Sequence, residues 1–153
     1  MKSITFLSIL IILLEYTYNK MMIIGKTGLC VSARNIHGRL VQVPCREKTK
    51  DLFWNEHLWG SNVILVSSNG QVMDNAASKP VNGNPVYAWS RHNGPNQQWI
   101  IIRIRNSQKF LIKNPASGKC LDGTGIAGIG RFYHIWSCSE KNSNQWFDLK
   151  YSW

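Results

Sequence analysis

Acidic residues are scarce in this chain. It has 8 Asp and Glu residues against 18 Lys and Arg residues, which gives a formal net charge of +10. A glycosidase needs two carboxylates that converge on one bond, and a chain with so few acids offers little material for such a centre. The 4 histidines also lack a partner at a spacing typical of a metal site or an activated nucleophile. We therefore expect no catalytic residue, no metal site and no cofactor.

Long hydrophobic runs are almost absent as well. One run extends from Ile4 to Leu14, shortly after Lys2. A helix that spans a bilayer needs about 20 apolar residues, so this run is too short, and its position is typical of a secretory signal peptide. We interpret residues 1–19 as a signal peptide and expect one secreted, extracellular domain. The alternatives are an uncleaved anchor, because small residues do not mark a cleavage site, and a buried N-terminal strand.

What the chain does contain is a recurring association of amide side chains with tryptophan. The stretch from His92 to Trp99 reads HNGPNQQW, and the stretch from Lys141 to Trp146 reads KNSNQW. A weaker copy ends at Trp54. The three tryptophans lie 45 and 47 residues apart, which is a period typical of repeated architectures. The sequence therefore predicts three similar units.

The first half of each unit repeats too. A glycine turn followed by a short apolar strand occurs at residues 28–32, 70–74 and 118–122, and the last two copies end on aspartate. Another apolar strand follows at residues 40–45, 85–90 and 132–138. Each unit is therefore predicted to contain about four short strands separated by turns.

These motifs together resemble one family. A Gly-x-Cys-x-Asp segment, a strand that ends in Trp-x-Cys and an Asn-Gln-x-Trp segment are similar to the ricin B-type lectins, which are known for Gln-x-Trp repeats. The resemblance covers residues 25–150. It implies an all-β chain that folds as a single β-trefoil of three pseudo-symmetric four-strand units. The units are expected at about residues 25–60, 61–105 and 106–153.

The chain has 4 cysteines, which formally allow three disulfide pairings. Cys30 and Cys45 occupy the same two positions in unit one that Cys120 and Cys138 occupy in unit three. We therefore predict a Cys30–Cys45 and a Cys120–Cys138 disulfide, each worth roughly 3 kcal/mol of stability. A zinc site is the competing interpretation, but the chain has no Cys-x-x-Cys pair to begin one.

Unit two carries the residue types that bind a hexose. Adjacent sugar hydroxyls need a carboxylate and an amide, and the apolar sugar face needs an aromatic ring. The resemblance implies four sugar contacts and one supporting glutamine, namely Asp74, Trp89, His92 and Asn96, with Gln97 behind the aspartate. It also implies a preference for galactose or N-acetylgalactosamine. The alternatives are that His92 is a plain surface residue and that Gln97 only satisfies backbone groups of the turn.

Unit three keeps part of this set. By the same resemblance Asp122 and Trp136 match the aspartate and aromatic positions. A shifted turn would let Asn144 or Asn142 act as the amide contact, and Asn144 is the predicted one. Counted back from Trp146, however, the asparagine position holds Ser143 and the glutamine position holds Asn144. This departure predicts a weaker site.

Unit one lacks the aspartate, amide and aromatic residues that the resemblance assigns to the sugar site. Its contact positions hold Ser32, Val43, Asp51 and Leu52. We expect this unit to be structural. Its core is predicted to contain the aromatic residues Phe53, Trp54 and Trp59.

The positive charge supports a different interpretation. A cationic surface attracts sulfated or sialylated polyanions and other acidic surfaces, and Arg46, Lys48 and Lys50 lie close together in one loop. The alternative function is thus a basic β-trefoil interaction protein that binds heparin-like surfaces without a working sugar pocket. Nucleic acid is not an expected partner, because the stacking-aromatic and basic strand motif of the known readers is missing.

The prediction that best combines these observations is a secreted lectin. It would bind glycans on glycoproteins or glycolipids through unit two and more weakly through unit three. Two sites, or association of chains into a homo-oligomer, would raise avidity on dense glycans. A toxic or enzymatic partner is expected to be a separate effector chain.

Overall fold

The computed structural model describes residues 20–125 and 128–152, and over these residues the chain is all β. This part of the chain has no helix long and apolar enough to cross a bilayer. The predicted signal peptide, residues 1–19, lies outside the described residues. The strands are β1 (Lys20–Gly25), β2 (Leu29–Ser32), β3 (Val41–Pro44), β4 (Phe53–Trp59), β5 (Asn62–Ser67), β6 (Val72–Asn75), β7 (Val86–Trp89), β8 (Ile100–Arg103), β9 (Phe110–Asn114), β10 (Lys119–Asp122), β11 (His134–Ser137) and β12 (Phe147–Ser152).

Six of these strands close a barrel. Strand β1 pairs with β12 and β4, β4 with β5, β8 with β9, and β9 with β12, all antiparallel. The seam between β5 and β8 is closed by Val63 and Trp99, which exchange backbone hydrogen bonds of 2.9 and 2.8 Å. A closed barrel has no free strand edges.

Three hairpins, one from each unit, cover one end of this barrel. They are β2–β3, β6–β7 and β10–β11. Isolated bridges connect each hairpin to the others, at Arg39–Tyr87, Val41–Phe132 and Pro85–His134. A six-stranded barrel with three hairpins, built from three like units, is a β-trefoil, so the predicted fold class is confirmed.

The described fold extends on both sides of the predicted range 25–150. Strand β1 begins at Lys20 and pairs with β12 over six residue pairs, which continue to Ser152. The strand contributes the fully buried side chains of Met21 and Ile23. These two alternate with more exposed neighbours, as expected for a strand with one face in the core.

Three aromatic side chains occupy equivalent core positions, namely Trp54, Trp99 and Phe147, and all are fully buried. The indole N–H groups of both tryptophans donate to a backbone carbonyl of the second strand of their unit, at 3.0 and 2.9 Å. The repeat of Trp54, Trp99 and Trp146 in the sequence predicts Trp146 as the third member of this set, and that prediction is wrong. It is only half-buried, and its indole donates to the carbonyl of Glu140 at 2.9 Å.

The third repeat is therefore shifted by one residue. Its Gln145-Trp146-Phe147 segment corresponds to Gln97-Gln98-Trp99 of unit two. Neighbouring side chains of an extended chain point to opposite faces, so a shift of one residue exchanges the inner and outer sets. The expectation that Trp59 fills the core of unit one is also wrong, because this side chain is 42% exposed at the tip of the β4–β5 hairpin.

Both predicted disulfides are confirmed. Cys30 is bonded to Cys45 and Cys120 to Cys138, with Cα–Cα distances of 5.1 and 5.0 Å. The first bond joins the two ends of the β2–β3 hairpin of unit one, and the second joins those of the β10–β11 hairpin of unit three. The matching hairpin of unit two has no such bond and relies on packing, with Val72 fully buried at the first position.

Candidate functional site

Strands β6 and β7 of unit two frame an open cleft of about 540 Å³. Asp74 on β6 lies opposite Tyr87 on β7, and Trp89 ends β7. We call this space cleft two. It is lined by Asp74, Ala76, Ala77, Lys79, Asn84, Pro85, Tyr87, Trp89, His92 and Asn96. Four of the five unit-two residues singled out in the sequence thus share one cleft.

The carboxylate of Asp74 is held from behind by two amides. Asn96 donates to Oδ1 and Gln97 to Oδ2, both at 2.8 Å. The imidazole Nε2 of His92 lies 3.4 Å from Oδ2. Two carboxylate oxygens offer about four acceptor sites, so Asp74 keeps acceptor capacity for donors that enter the cleft.

Gln97 connects the parts of this arrangement. Its Oε1 accepts hydrogen bonds from the backbone N–H groups of His92 and Asn93, at 2.8 and 3.1 Å. Its Nε2 donates to Asp74 and also to the carbonyl of Ser90, at 2.9 Å. Gln97 is fully buried, so it holds the aspartate and satisfies backbone groups of the turn at the same time.

The ring of Trp89 is 39% exposed. It lies beside the loop that connects β2 and β3 of unit one. The imidazole of His37 packs on it with 4.6 Å between ring centroids, and His37 Nε2 lies 2.7 Å from Ser90 Oγ. The carbonyl of Gly38 accepts the N–H of Ala88 at 2.8 Å. Unit one therefore helps to position the aromatic ring of cleft two.

His37 and Tyr87 are the residues that the sequence did not indicate. His37 lies in the turn between β2 and β3, and nothing in the sequence indicates that this turn meets another unit. Tyr87 stands on β7 opposite the aspartate, where a period-two strand pattern puts it on the same face as Trp89. That alternation is the signal that could have found Tyr87.

Unit three forms a smaller cleft of about 240 Å³, which we call cleft three. It is lined by Asp122, Thr124, Gly125, His134, Trp136, Asn142 and Asn144. Asp122 Oδ2 accepts from Asn142 and Gln145 at 2.9 and 3.2 Å, and Oδ1 accepts the N–H of Thr124 at 2.9 Å. The carboxylate has three hydrogen bonds here against two in cleft two, which leaves less capacity for an incoming donor.

The amide positions of unit three differ from the prediction. Gln145, and not Asn144, holds the glutamine position, since its Nε2 donates to Asp122 and to the carbonyl of Ser137 at 3.2 and 3.0 Å. Asn144 lines the cleft at the asparagine position, while Asn142 supplies the second amide to Asp122. The error follows from counting back from Trp146 when Phe147 is the core residue.

In unit one the side chains at the corresponding positions are buried or bonded to one another. Val43 and Leu52 are buried in a small apolar cluster. Ser32 donates its hydroxyl to Asp51, so the carboxylate of this unit stands in the turn before β4 and not on β2. Arg34 forms ion pairs with Glu47 and, at 3.6 Å, with Asp51. These contacts support a structural role for unit one, which stays a prediction. In the part of the chain that the structure describes, no group of three His, Cys, Asp or Glu residues could hold a metal ion.

Comparison with known protein families gave a match. A family described as ricin-type beta-trefoil lectin domain-like matches residues 52–131, just over half of the 153 residues. The chain belongs to this family. The matched range contains all of cleft two and the whole of the β6–β7 hairpin. A comparison with curated protein sequences gave no match.

Solved structures share the fold at low sequence identity. A ricin B-like lectin from Macrolepiota procera in complex with lactose has a TM-score of 0.76 and 18% identity, over 87% of this chain and 95% of that one. A designed three-fold symmetric protein, ThreeFoil, has a TM-score of 0.78 and 20% identity, over 86% of this chain and 97% of that one. An exo-beta-1,3-galactanase from Clostridium thermocellum reaches 0.80 with 18% identity, over 90% of this chain but only 31% of that one.

His134 of cleft three makes the free energy of unfolding depend on pH. Its Nε2 lies 3.6 Å from Asp122 Oδ1. Burial lowers the pKa of His134 below 6.5, against the opposing charge of Asp122 and with a further lowering by Arg39. As the pH falls below 6.5, the unfolded chain therefore gains a proton at this residue before the folded chain does, and the free energy of unfolding decreases.

We expect His134→Gln to remove this component. Urea unfolding at pH 7, 6 and 5 measures it as the difference in free energy of unfolding between wild type and variant. As the pH falls, the free energy of unfolding of the wild type should decrease more than that of the variant. Groups that titrate in both proteins contribute equally to both values and drop out of the difference. Two parallel pH profiles would contradict the assignment.

Proposed function

We propose that this chain is a secreted lectin that binds galactose- or N-acetylgalactosamine-type glycans of glycoproteins or glycolipids, mainly through cleft two. The observation that carries the proposal is the Asp74 carboxylate, which two amides hold from behind at 2.8 Å. Its remaining acceptor sites lie in a cleft that also contains the exposed ring of Trp89.

Each part of a hexose has a counterpart in this cleft. Two adjacent hydroxyls donate to Asp74, and a charged acceptor makes such bonds roughly twice as strong as neutral ones. The Oδ1 of Asn96 accepts a third hydroxyl, since its Nδ2 is already committed to Asp74. The apolar C–H face of the sugar lies on Trp89, which has few rotors to freeze. A single open site of this kind has an affinity of about 4 to 5 kcal/mol, in the millimolar to submillimolar range.

Binding without cleavage is part of this proposal, and the placement of the acids supports it. A glycosidase places its two carboxyl groups on either side of one bond, whereas Asp74 and Asp122 lie in the clefts of different units. The two clefts are therefore proposed as two binding sites, with cleft three the weaker because its aspartate already accepts three hydrogen bonds. Dense glycans would engage both and gain avidity.

Two observations support the sugar class and the compartment. The Macrolepiota procera lectin with the same fold is bound to lactose, a galactose-containing sugar. The two disulfides are typical of proteins that mature in an oxidising, extracytoplasmic environment.

A glycan array at low and high salt tests the proposal. We expect the wild-type chain to bind galactose-terminated glycans at both salt concentrations. Trp89→Ala should lower that binding about tenfold or more, because the apolar sugar face loses its partner. Trp136→Ala, a matched exposed tryptophan in cleft three, is the control and should have a smaller effect.

A different array result would favour the function based on charge. If only sulfated or sialylated glycans bound, if high salt abolished the signal, and if both variants behaved like wild type, the sugar clefts would have no role. The net charge of +10 would then be the basis of binding, as in a heparin-binding trefoil.

A further inference from the structure

An arginine beside cleft two is held in place by neutral groups. Arg91 follows β7 and is exposed. Its Nε donates to Asn93 Oδ1 at 2.6 Å, and its Nη1 lies 2.9 Å from His57 Nδ1. The ring of Trp59, at the tip of the β4–β5 hairpin, is 6.0 Å from the guanidinium carbon.

The charge of Arg91 is not neutralised within residues 20–125 and 128–152. No carboxylate of this part of the chain lies within 4.0 Å of the guanidinium. Burial, together with Arg91, lowers the pKa of His57, which favours the neutral imidazole that accepts a hydrogen bond. A guanidinium has five N–H donors in a fixed plane, and two of them meet neutral acceptors here.

The same turn carries Arg91 and the wall of cleft two. Arg91 directly precedes His92, whose Nε2 lies 3.4 Å from Asp74. Asn93, which anchors the guanidinium, is itself held by Gln97, with its backbone N–H donating to Gln97 Oε1 at 3.1 Å. The position of the charge is thus coupled to the residues that hold the aspartate of cleft two.

We propose that Arg91 and Trp59 form a second subsite beside cleft two, which binds an anionic group on a saccharide whose galactose-type residue occupies cleft two. The inference rests on the proposed sugar-binding function. A planar guanidinium binds a carboxylate or a sulfate ester through paired hydrogen bonds. The neighbouring indole, 42% exposed, provides an apolar plate for the sugar that carries the anion. The chain therefore prefers acidic galactosides over neutral ones.

Calorimetric titration with three ligands tests this subsite. The ligands are lactose, sialyllactose and a lactose sulfate ester, and the measured quantity is the affinity for each acidic lactoside relative to lactose. We expect Arg91→Gln to lower this ratio about tenfold, because a hydrogen-bonded ion pair is lost. Trp59→Ala should lower it too. A fall for sialyllactose alone identifies a carboxylate ligand, and a fall for the sulfate ester alone identifies a sulfate.

Arg103→Gln is the matched control. Arg103 is also exposed and held by neutral acceptors, the Ser107 carbonyl and Gln108 Oε1 at 2.9 and 3.0 Å, but it lines neither cleft. An unchanged ratio in Arg91→Gln, or an equal fall in Arg103→Gln, would overturn the subsite and leave only a general charge effect. If wild type bound acidic lactosides no better than lactose, the subsite would fall while the lectin function stood. If lactose itself did not bind, the proposed function would fail first.

Discussion

Replacing Asp74 with alanine is expected to lower the affinity for galactosides by at least about 100-fold. The carboxylate is the charged acceptor in the centre of cleft two, and hydrogen bonds to a charged group contribute about 1.5 to 3 kcal/mol each. The loss of two sugar hydroxyl bonds therefore amounts to at least about 3 kcal/mol, and 1.4 kcal/mol corresponds to a factor of ten. Calorimetric titration with lactose measures the effect.

The same change also affects the fold around the cleft. Asn96 and Gln97 both donate to Asp74 and are buried, and a buried donor without an acceptor costs about 1 to 3 kcal/mol. Asp74→Asn reduces this cost, because one amide oxygen still accepts, while the negative charge is removed. We expect Asp74→Asn to remain folded by near-UV circular dichroism and still to bind lactose poorly.

Asp122→Ala is the matched control in cleft three. It should leave most lactose binding intact, because cleft two is the stronger site. If Asp74→Asn folded normally and bound lactose as well as wild type, cleft two would not be the sugar site. An equal loss in Asp122→Ala would instead show that the two clefts contribute alike.

Phe147→Ala is expected to destabilise the chain by about 3 to 5 kcal/mol, as a large cavity in the core usually does. Phe147 is fully buried in the main core cluster, and its ring lies 6.2 Å from that of Tyr133. It is the counterpart of Trp54 and Trp99. For a domain of this size, which has about 5 to 15 kcal/mol of total stability, the variant should unfold at a much lower urea concentration.

Trp146→Ala provides the comparison that decides the register of the third repeat. Trp146 is half-buried at the edge of a smaller cluster that includes Ile104, Leu111 and Cys120. Its removal should therefore cost less than the removal of Phe147, although tryptophan is the larger side chain. Equilibrium urea unfolding of both variants measures the order. A larger loss in Trp146→Ala would restore the register in which all three repeats end on tryptophan.

The sequence by itself determined the architecture of this protein. Recurring glycine turns, apolar strands and aromatic residues specify three like units, and no single unit can bury its apolar face alone. The cysteines at equivalent positions of units one and three determined both disulfides. The residues around Asp74 could be assigned because their order along the unit follows the family pattern and because they belong to one hairpin and the turn after it. Contacts within one unit are readable in this way, since the chain distance between the partners is short.

Only the tertiary structure decided which residues of different units are in contact, and which residues of the third repeat face the core. Gln145-Trp146 imitates the end of a repeat, and only the packing shows that Phe147 enters the core, since a one-residue shift exchanges the two faces of a strand. The contacts of His37 with Trp89 and of Arg91 with Trp59 join residues 52 and 32 positions apart. These pairs meet because the barrel brings neighbouring units together around a common axis, and no local pattern in the sequence records that arrangement.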